Sequence, residues 1–217
     1  MKIAIAGGHG HIALLLEKQL SDAGHQAIAL IRNPEHASDV LAAGGIPVQI
    51  DLEAVDAPTL ALDLRGVDAV VFAAGAGPNS TAERKLTVDR DGAILLADAA
   101  EQAGIRRYVL ISAMSADDFD PNSDDVFQVY LKAKSEADAN VRARDLDWTI
   151  VRPGGLTDDP PTGKVNLATS TGRGSIPRAD VAGLITELLT TGAGVGVQFE
   201  AISGDVPVRD AVSALKP

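Results

Sequence analysis

The sequence predicts an α/β fold: a doubly wound parallel sheet with helices on both faces and a small C-terminal substrate-side segment. Three observations predict it. Short apolar runs recur without polar alternation, as expected of strands buried on both faces of a parallel sheet. Each run alternates with a segment that can form a helix, and such alternation specifies a parallel sheet covered by helices. The first run, Lys2–Ala6, leads straight into the glycine-rich stretch GGHGHIA.

The elements follow in order. After the first strand, a helix is expected over 11–23, with Ile12, Leu15, Leu16 and Leu20 as its apolar stripe and Gly24 just past its end. A second strand spans 27–31. Asn33 then caps a short helix with Pro34 at its first position, and Gly44-Gly45 ends it. The third strand, 47–50, closes on Asp51, and Asp56 caps another short helix that stops at Gly66. A fourth strand over 68–73 enters the loop 74–80, and a long helix is expected over 81–103. The fifth strand, 107–111, runs into Ser112. The acidic segment 116–125 reads as a surface loop placed as a lid. A helix over 126–144 and a strand over 148–152 follow, the latter broken by Pro153-Gly154-Gly155. The Gly-, Pro- and Thr-rich stretch up to Arg178 holds one strand, 165–169. A helix over 178–190, with Arg178 and Asp180 anchoring its start, precedes a last strand at 196–202. The reading is about seven strands and six helices with no linker, hence one domain over 1–217. Its substrate-side elements fall within about 153–178 and 195–217.

Composition narrows the function. A chain of 217 residues, 46% hydrophobic, can bury one good core. A net charge of −11 repels nucleic-acid phosphates. There is no cysteine, and the four histidines do not pair with carboxylates at helical spacing, so no metal site is expected. The amino terminus enters a strand at once, and no apolar run approaches the ~20 residues of a membrane span. A cytoplasmic protein is expected, a monomer or a homodimer, acting on a small molecule.

Gly7, Gly10 and Ala13 stand three residues apart, the G-x-x-G-x-x-G/A form of the dinucleotide fingerprint. Gly7 allows the sharp turn out of the strand, Gly10 the close approach of a pyrophosphate, and Ala13 the packing of helix on strand. His11 and Ile12 open that helix, whose free N–H groups and positive dipole end suit phosphates. The ligand of such a sheet lies at the carboxyl ends of the strands. Arg32, at the end of the second strand, therefore meets the adenosine ribose. A guanidinium suits a phosphate and cannot accept from a hydroxyl, so NADP is favoured over NAD. Asp51, with Leu52 beside it, is placed either to accept from the adenine amino group or to cap the following turn. Ala73, Ala74 and Gly75 are small enough for cofactor backbone to lie close. Tyr130 and Lys134 share a helix face four residues apart, where a lysine can stabilise a phenolate and so let the phenol shuttle a proton.

The chain resembles the short-chain dehydrogenase/reductase superfamily, in particular its compact atypical branch of NmrA-like and epimerase-like NAD(P)H-binding proteins. The matching pieces are AGGHGHIA at 6–13, YLKAK at 130–134, DWTIVRPGGL at 147–156 and IPRADVA at 176–182. The resemblance implies a Rossmann-type domain and a Tyr-x-x-x-Lys pair working with a serine or threonine after the fifth strand. Ser112 follows that strand directly, Met114 holds the usual slot and Ser115 comes next. It also implies that Pro153, Gly154 and Gly155 pass near the nicotinamide and that Lys134 holds the nicotinamide ribose. The leading expectation is an NADP-dependent reductase or dehydrogenase of a small carbonyl, quinone or sugar-like substrate. The alternatives are a flavin- or biliverdin-type reductase that needs no tyrosine, and a non-catalytic NAD(P) sensor that regulates a partner protein.

Overall fold

The computed structural model describes residues 1–216. Seven strands form the parallel part of one sheet: β1 (Lys2–Ala6), β2 (Gln26–Ile31), β3 (Ile46–Gln49), β4 (Ala69–Phe72), β5 (Arg107–Ile111), β6 (Asp147–Pro153) and β10 (Val197–Ser203), in the order β3-β2-β1-β4-β5-β6-β10. Beyond β10 the sheet continues antiparallel through β8 (Lys164–Ala168) and β11 (Val206–Pro207). A separate parallel pair joins β7 (Gly155–Thr157) to β9 (Ser175–Pro177). The Gly- and Pro-rich stretch thus supplies three short strands where the residue pattern shows one. The pattern shows β8; β7 and β9 are three residues each in a two-stranded ribbon, too short for a hydrophobic period to mark them.

The helices are α1 (His11–Asp22), α2 (Ala37–Ala42), α3 (Ala57–Asp63), α4 (Ala82–Arg84), α5 (Gly92–Gln102), α6 (Val126–Arg142), α7 (Arg178–Thr191) and α8 (Val208–Ser213). The last is absent from the sequence reading. The long helix expected over 81–103 is there, but between α4 and α5 it widens into a π-helical segment, Lys85–Asp91, that turns Lys85, Val88 and Asp89 inward. Wide turns of this kind cluster at functional sites.

The strands lack polar alternation because both sheet faces are covered. Ile3 and Ile5 of β1 join Leu16 and Leu20 of α1 and Leu184, Ile185 and Leu188 of α7 on one face. The alternate residues Ala4 and Ala6 join Leu60 of α3, Leu96 of α5 and Val141 of α6 on the other. Successive side chains point to opposite faces, so consecutive positions of a central strand such as Ile3–Ala6 are apolar. Tyr108 of β5 is fully buried and its hydroxyl donates to the Ala93 carbonyl at 2.8 Å. Among the described residues no helix is long and apolar enough to cross a membrane. Asp180, in the first turn of α7, accepts from the backbone N–H groups of Thr162 and Gly163 at 2.9 and 2.8 Å. Arg178 meets Asp158 at 2.7 Å, so the start of α7 fastens the preceding loop.

One buried group opposes folding. Glu17 of α1 is fully buried beside Gly45, neither carboxyl oxygen has a hydrogen-bond partner, and burial pushes its pKa up from 4.5 to about 8. The folded chain therefore holds a proton that the unfolded chain has lost, and stability must fall as pH rises through that window. Relative to Glu17→Gln, which has no such proton, the native protein should lose a few kcal/mol between pH 4.5 and about 8, at up to ~1.4 kcal/mol per pH unit. Urea midpoints of the two proteins across this range measure the difference; a constant gap would mean that Glu17 titrates normally.

Candidate functional site

The first strand has β2 on one side and β4 on the other, so consecutive crossovers leave it in opposite directions and open a crevice at the carboxyl ends of the strands. A cleft of about 390 Å³ lies there. Its floor is Gly7, Gly8 and Gly10 of the first turn with Ala73, Ala74 and Gly75 beyond β4, and its outer wall carries Arg32, Asp51, Leu52, Glu53 and Arg84. All of the expected cofactor positions on β1, β2, β3 and β4 thus meet in one place: Gly7, Gly10, Arg32, Asp51, Leu52, Ala73, Ala74 and Gly75.

The glycine turn packs closely on the loop after β4. Gly7 has φ +80°, and a Cβ there would lie 2.5 Å from the Ala74 Cα. The turn is held by Gly10 N–H donating to the Gly7 carbonyl at 2.9 Å and Gly8 N–H donating to Leu30 at 3.0 Å. Gly10 caps α1 without a side-chain hydrogen bond, and no acidic residue sits in the first helical turn. His11 and Ile12 offer only backbone here: the His11 side chain is 75% exposed and points toward Asp158 at 4.0 Å.

At the outer wall of the cleft, Glu53 gathers two cations. Its carboxylate meets Arg32 Nη1 at 3.1 Å and Arg84 Nη2 at 2.7 Å, and accepts from the Thr87 hydroxyl at 2.7 Å. The bonds from Arg84 and Thr87 hold the Glu53 carboxyl below the usual carboxylate range. Asp51 accepts from the Glu53 backbone N–H at 3.0 Å, so it caps this turn while lining the cleft. His9 and His36 stack 3.6 Å apart on the same rim, with His9 Nε2 2.8 Å from Asp39.

A second group of side chains lies under the π-helical segment and α6. Lys134 is buried; its ammonium donates to the Ile111 carbonyl at 3.1 Å and faces Asp89 at 3.5 Å. Asp89 in turn accepts from the Ala76 N–H at 3.0 Å and so pins the loop after β4. Tyr130 lies one turn from Lys134, whose Nζ is 5.9 Å from the ring centroid. Burial raises the phenol pKa, and Lys134 opposes that rise. Ser112 is buried and its hydroxyl donates to Asp138 at 2.8 Å. Asp138 also receives Arg152 at 2.7 Å; burial raises its pKa, and Arg152 and Ser112 counter it. Arg152 reaches on to Asp117 at 2.8 Å, which fastens the start of the acidic segment 116–125 where the sequence suggests a lid.

Pro153, Gly154 and Gly155 stand apart from the cleft lining. Gly154 and Gly155 donate to the carbonyls of Ala201 and Gly174 at 2.9 Å each, against β10 and the strand pair. Sequence reasoning missed Glu53, Arg84, Lys85, Asp89 and Asp138. Only Asp138 carries a signal in the spacing, since it continues the Tyr130–Lys134 row by one more helical turn. The others reach the site from elements whose placement depends on the folded sheet.

A doubly wound sheet with an uncapped glycine turn facing a crevice at its switch point defines a Rossmann-type dinucleotide-binding protein. Residues 7–192 match the NAD(P)H-binding family, and the chain belongs to it. YhfK of Bacillus subtilis, described as an uncharacterized sugar epimerase, is 34% identical over 216 residues, spanning 99% of this chain and 100% of YhfK. A Bacillus halodurans protein provisionally named an NAD-dependent epimerase/dehydratase is 34% identical with a TM-score of 0.90, covering 99% of this chain and 100% of its own. The oxidoreductase ylbE from Lactococcus lactis is 29% identical with a TM-score of 0.85, covering 99% and 96%.

The cradle can be tested without chemistry. Gly7→Ala must hold a left-handed backbone and displace Ala74, and should cost about 2–4 kcal/mol and abolish any melting shift by NADP. Gly24→Ala, at φ +79° with no atom within 4 Å of the added methyl, should cost only the backbone term of about 1–2 kcal/mol and leave NADP binding intact. Equal effects of the two would remove the close approach to Ala74 as the reason for the glycine.

Proposed function

We propose that this protein is an NADP-dependent oxidoreductase acting on a small carbonyl, quinone or sugar-like substrate. The observation that carries the reading is the pair of guanidiniums, Arg32 and Arg84, on the ribose wall of the dinucleotide cleft. Two planar guanidiniums share one carboxylate, with Asp51 beside them, and their unused N–H donors suit a 2′-phosphate. The acceptors of Glu53 are already taken by Arg84, Arg32 and Thr87, so it is poorly placed to receive a ribose hydroxyl.

A bound nicotinamide supplies or receives the hydride. The chain's own residues do the rest. Gly7, Gly10 and the start of α1 hold the diphosphate, and the small residues Ala73, Ala74 and Gly75 let it lie close. Tyr130 gives or takes the proton at the substrate oxygen. Lys134 fixes the Asp89 carboxylate and, through it, the loop after β4. Ser112, whose hydroxyl hydrogen is directed at Asp138, steadies the Asp138–Arg152 pair beneath the site rather than donating to the substrate.

NADP should raise the melting temperature more than NAD at equal concentration. Arg32→Ala and Arg84→Ala should each weaken NADP binding about ten- to a hundredfold and leave NAD nearly unchanged. Equal melting shifts from both nucleotides would dismiss the 2′-phosphate site. NADPH consumption over a panel of aldehydes, quinones and keto sugars tests the chemistry. Tyr130→Phe should lower turnover by about a hundredfold or more while the melting shift by NADP persists. Undiminished turnover in that variant would instead favour the tyrosine-free, flavin- or biliverdin-type reaction.

A further inference from the structure

Lys85 opens the π-helical segment and is 6% exposed, an unusual place for an ammonium. Its Nζ donates to the Gly77 carbonyl in the loop after β4 and lies 5.4 Å from the centroid of the Tyr130 ring, slightly nearer than Lys134 at 5.9 Å. The charged groups around that ring are therefore Lys85 and Asp89 from the π-helical segment and Lys134 and Asp138 from α6. Asp138 is matched by Arg152 at 2.7 Å, and Asp89 by Lys134 at 3.5 Å. Among the described residues no carboxylate lies within 4.0 Å of the Lys85 ammonium. It is the cation left over when the buried pairs are cancelled.

We propose that Lys85 is a positioning residue for Tyr130: the second cation that, together with Lys134, keeps the phenolate of this tyrosine within reach. The inference rests on the reading of Tyr130 as the proton carrier. The spacing Tyr-x-x-x-Lys nominates Lys134 alone, yet Asp89 lies 3.5 Å from Lys134 and opposes it at the phenol. Lys85 restores a net positive charge there and, through Gly77, ties the tyrosine to the loop that floors the cleft. Lys85 and Asp89 both point inward from the π-helical segment.

The sequence contains only two tyrosines, which makes the proposal directly measurable. In protein labelled with difluorotyrosine, fluorine NMR resolves both, and fluorination brings the phenol titration into the range where the protein is folded. Tyr108, fully buried and donating to Ala93, serves as the silent reference. A unit charge 5–6 Å away in a partly screened interior should shift a phenol by about one to two pH units. Lys85→Met should therefore raise the Tyr130 midpoint by about that much, and Lys85→Arg should leave it near the native value. Lys85→Gln keeps a donor for Gly77 without the charge; its midpoint should match that of Lys85→Met, and it decides the matter if the methionine variant does not fold. Native midpoints in both neutral variants, with a shifted one in Lys134→Met, would overturn the proposal. If turnover is absent but the midpoint shifts, the oxidoreductase reading fails and the action of Lys85 on Tyr130 stands. If Tyr130→Phe abolishes turnover and the neutral Lys85 variants titrate as native, the reverse holds.

Discussion

Strand β1 lies between two parallel partners, β2 and β4, that the chain reaches by crossing the sheet in opposite directions, and the gap this leaves at the strand ends governs everything else. Helices cover both faces, and at the gap backbone from several strands converges. The first crossover must leave β1 within van der Waals reach of the residues after β4. A left-handed Gly7 against Ala74 meets that demand, and it also turns the bare start of α1 toward the crevice. Binding groups and architecture here have a single cause. The same backbone turn that closes the core presents the amides.

Around this crevice the charges fall into two networks with different characters. At the outer wall Arg32, Arg84, Thr87 and Glu53 are partly solvated, so their mutual attraction is screened and they can rearrange about an anion. Beneath α6 the groups are buried. Ser112, Asp138 and Arg152 form one cluster, and Asp89 and Lys134 form the other. A carboxylate kept in such surroundings is stable only while its cation stays in place, so these clusters hold their geometry. The charges at the outer wall are solvated, and those beneath α6 are buried. The loop after β4, pinned at Ala76 by Asp89 and at Gly77 by Lys85, joins the two.

Much of this was legible beforehand. The apolar runs of β1, β2, β4 and β5, the Asn33-Pro34 helix start and the Asp56 cap are local events, decided by residue types within one turn or one strand. The cleft residues from Gly7 to Gly75 were legible too, because strand ends in a doubly wound sheet meet at a place that chain order alone specifies. Beyond Pro153 only β8, α7 and β10 were legible. Strands β7, β9 and β11 exist by pairing with distant chain, and segments so short have no period of their own. The π-helical segment was equally hidden, since a helix widened by one residue has the same composition as one that is not.

Local sequence determined the parallel sheet, the glycine turn, the family and the facing of Tyr130 and Lys134, because each depends on backbone preference or on spacing along one element. Tertiary structure alone decided which charges neighbour one another. Lys134 meets Asp89 across 45 residues, Ser112 meets Asp138 across 26, and Glu53 joins Arg32 and Arg84 across 21 and 31. Electrostatic partners act through space, and no preference of a residue for helix or strand says which distant side chain will arrive beside it.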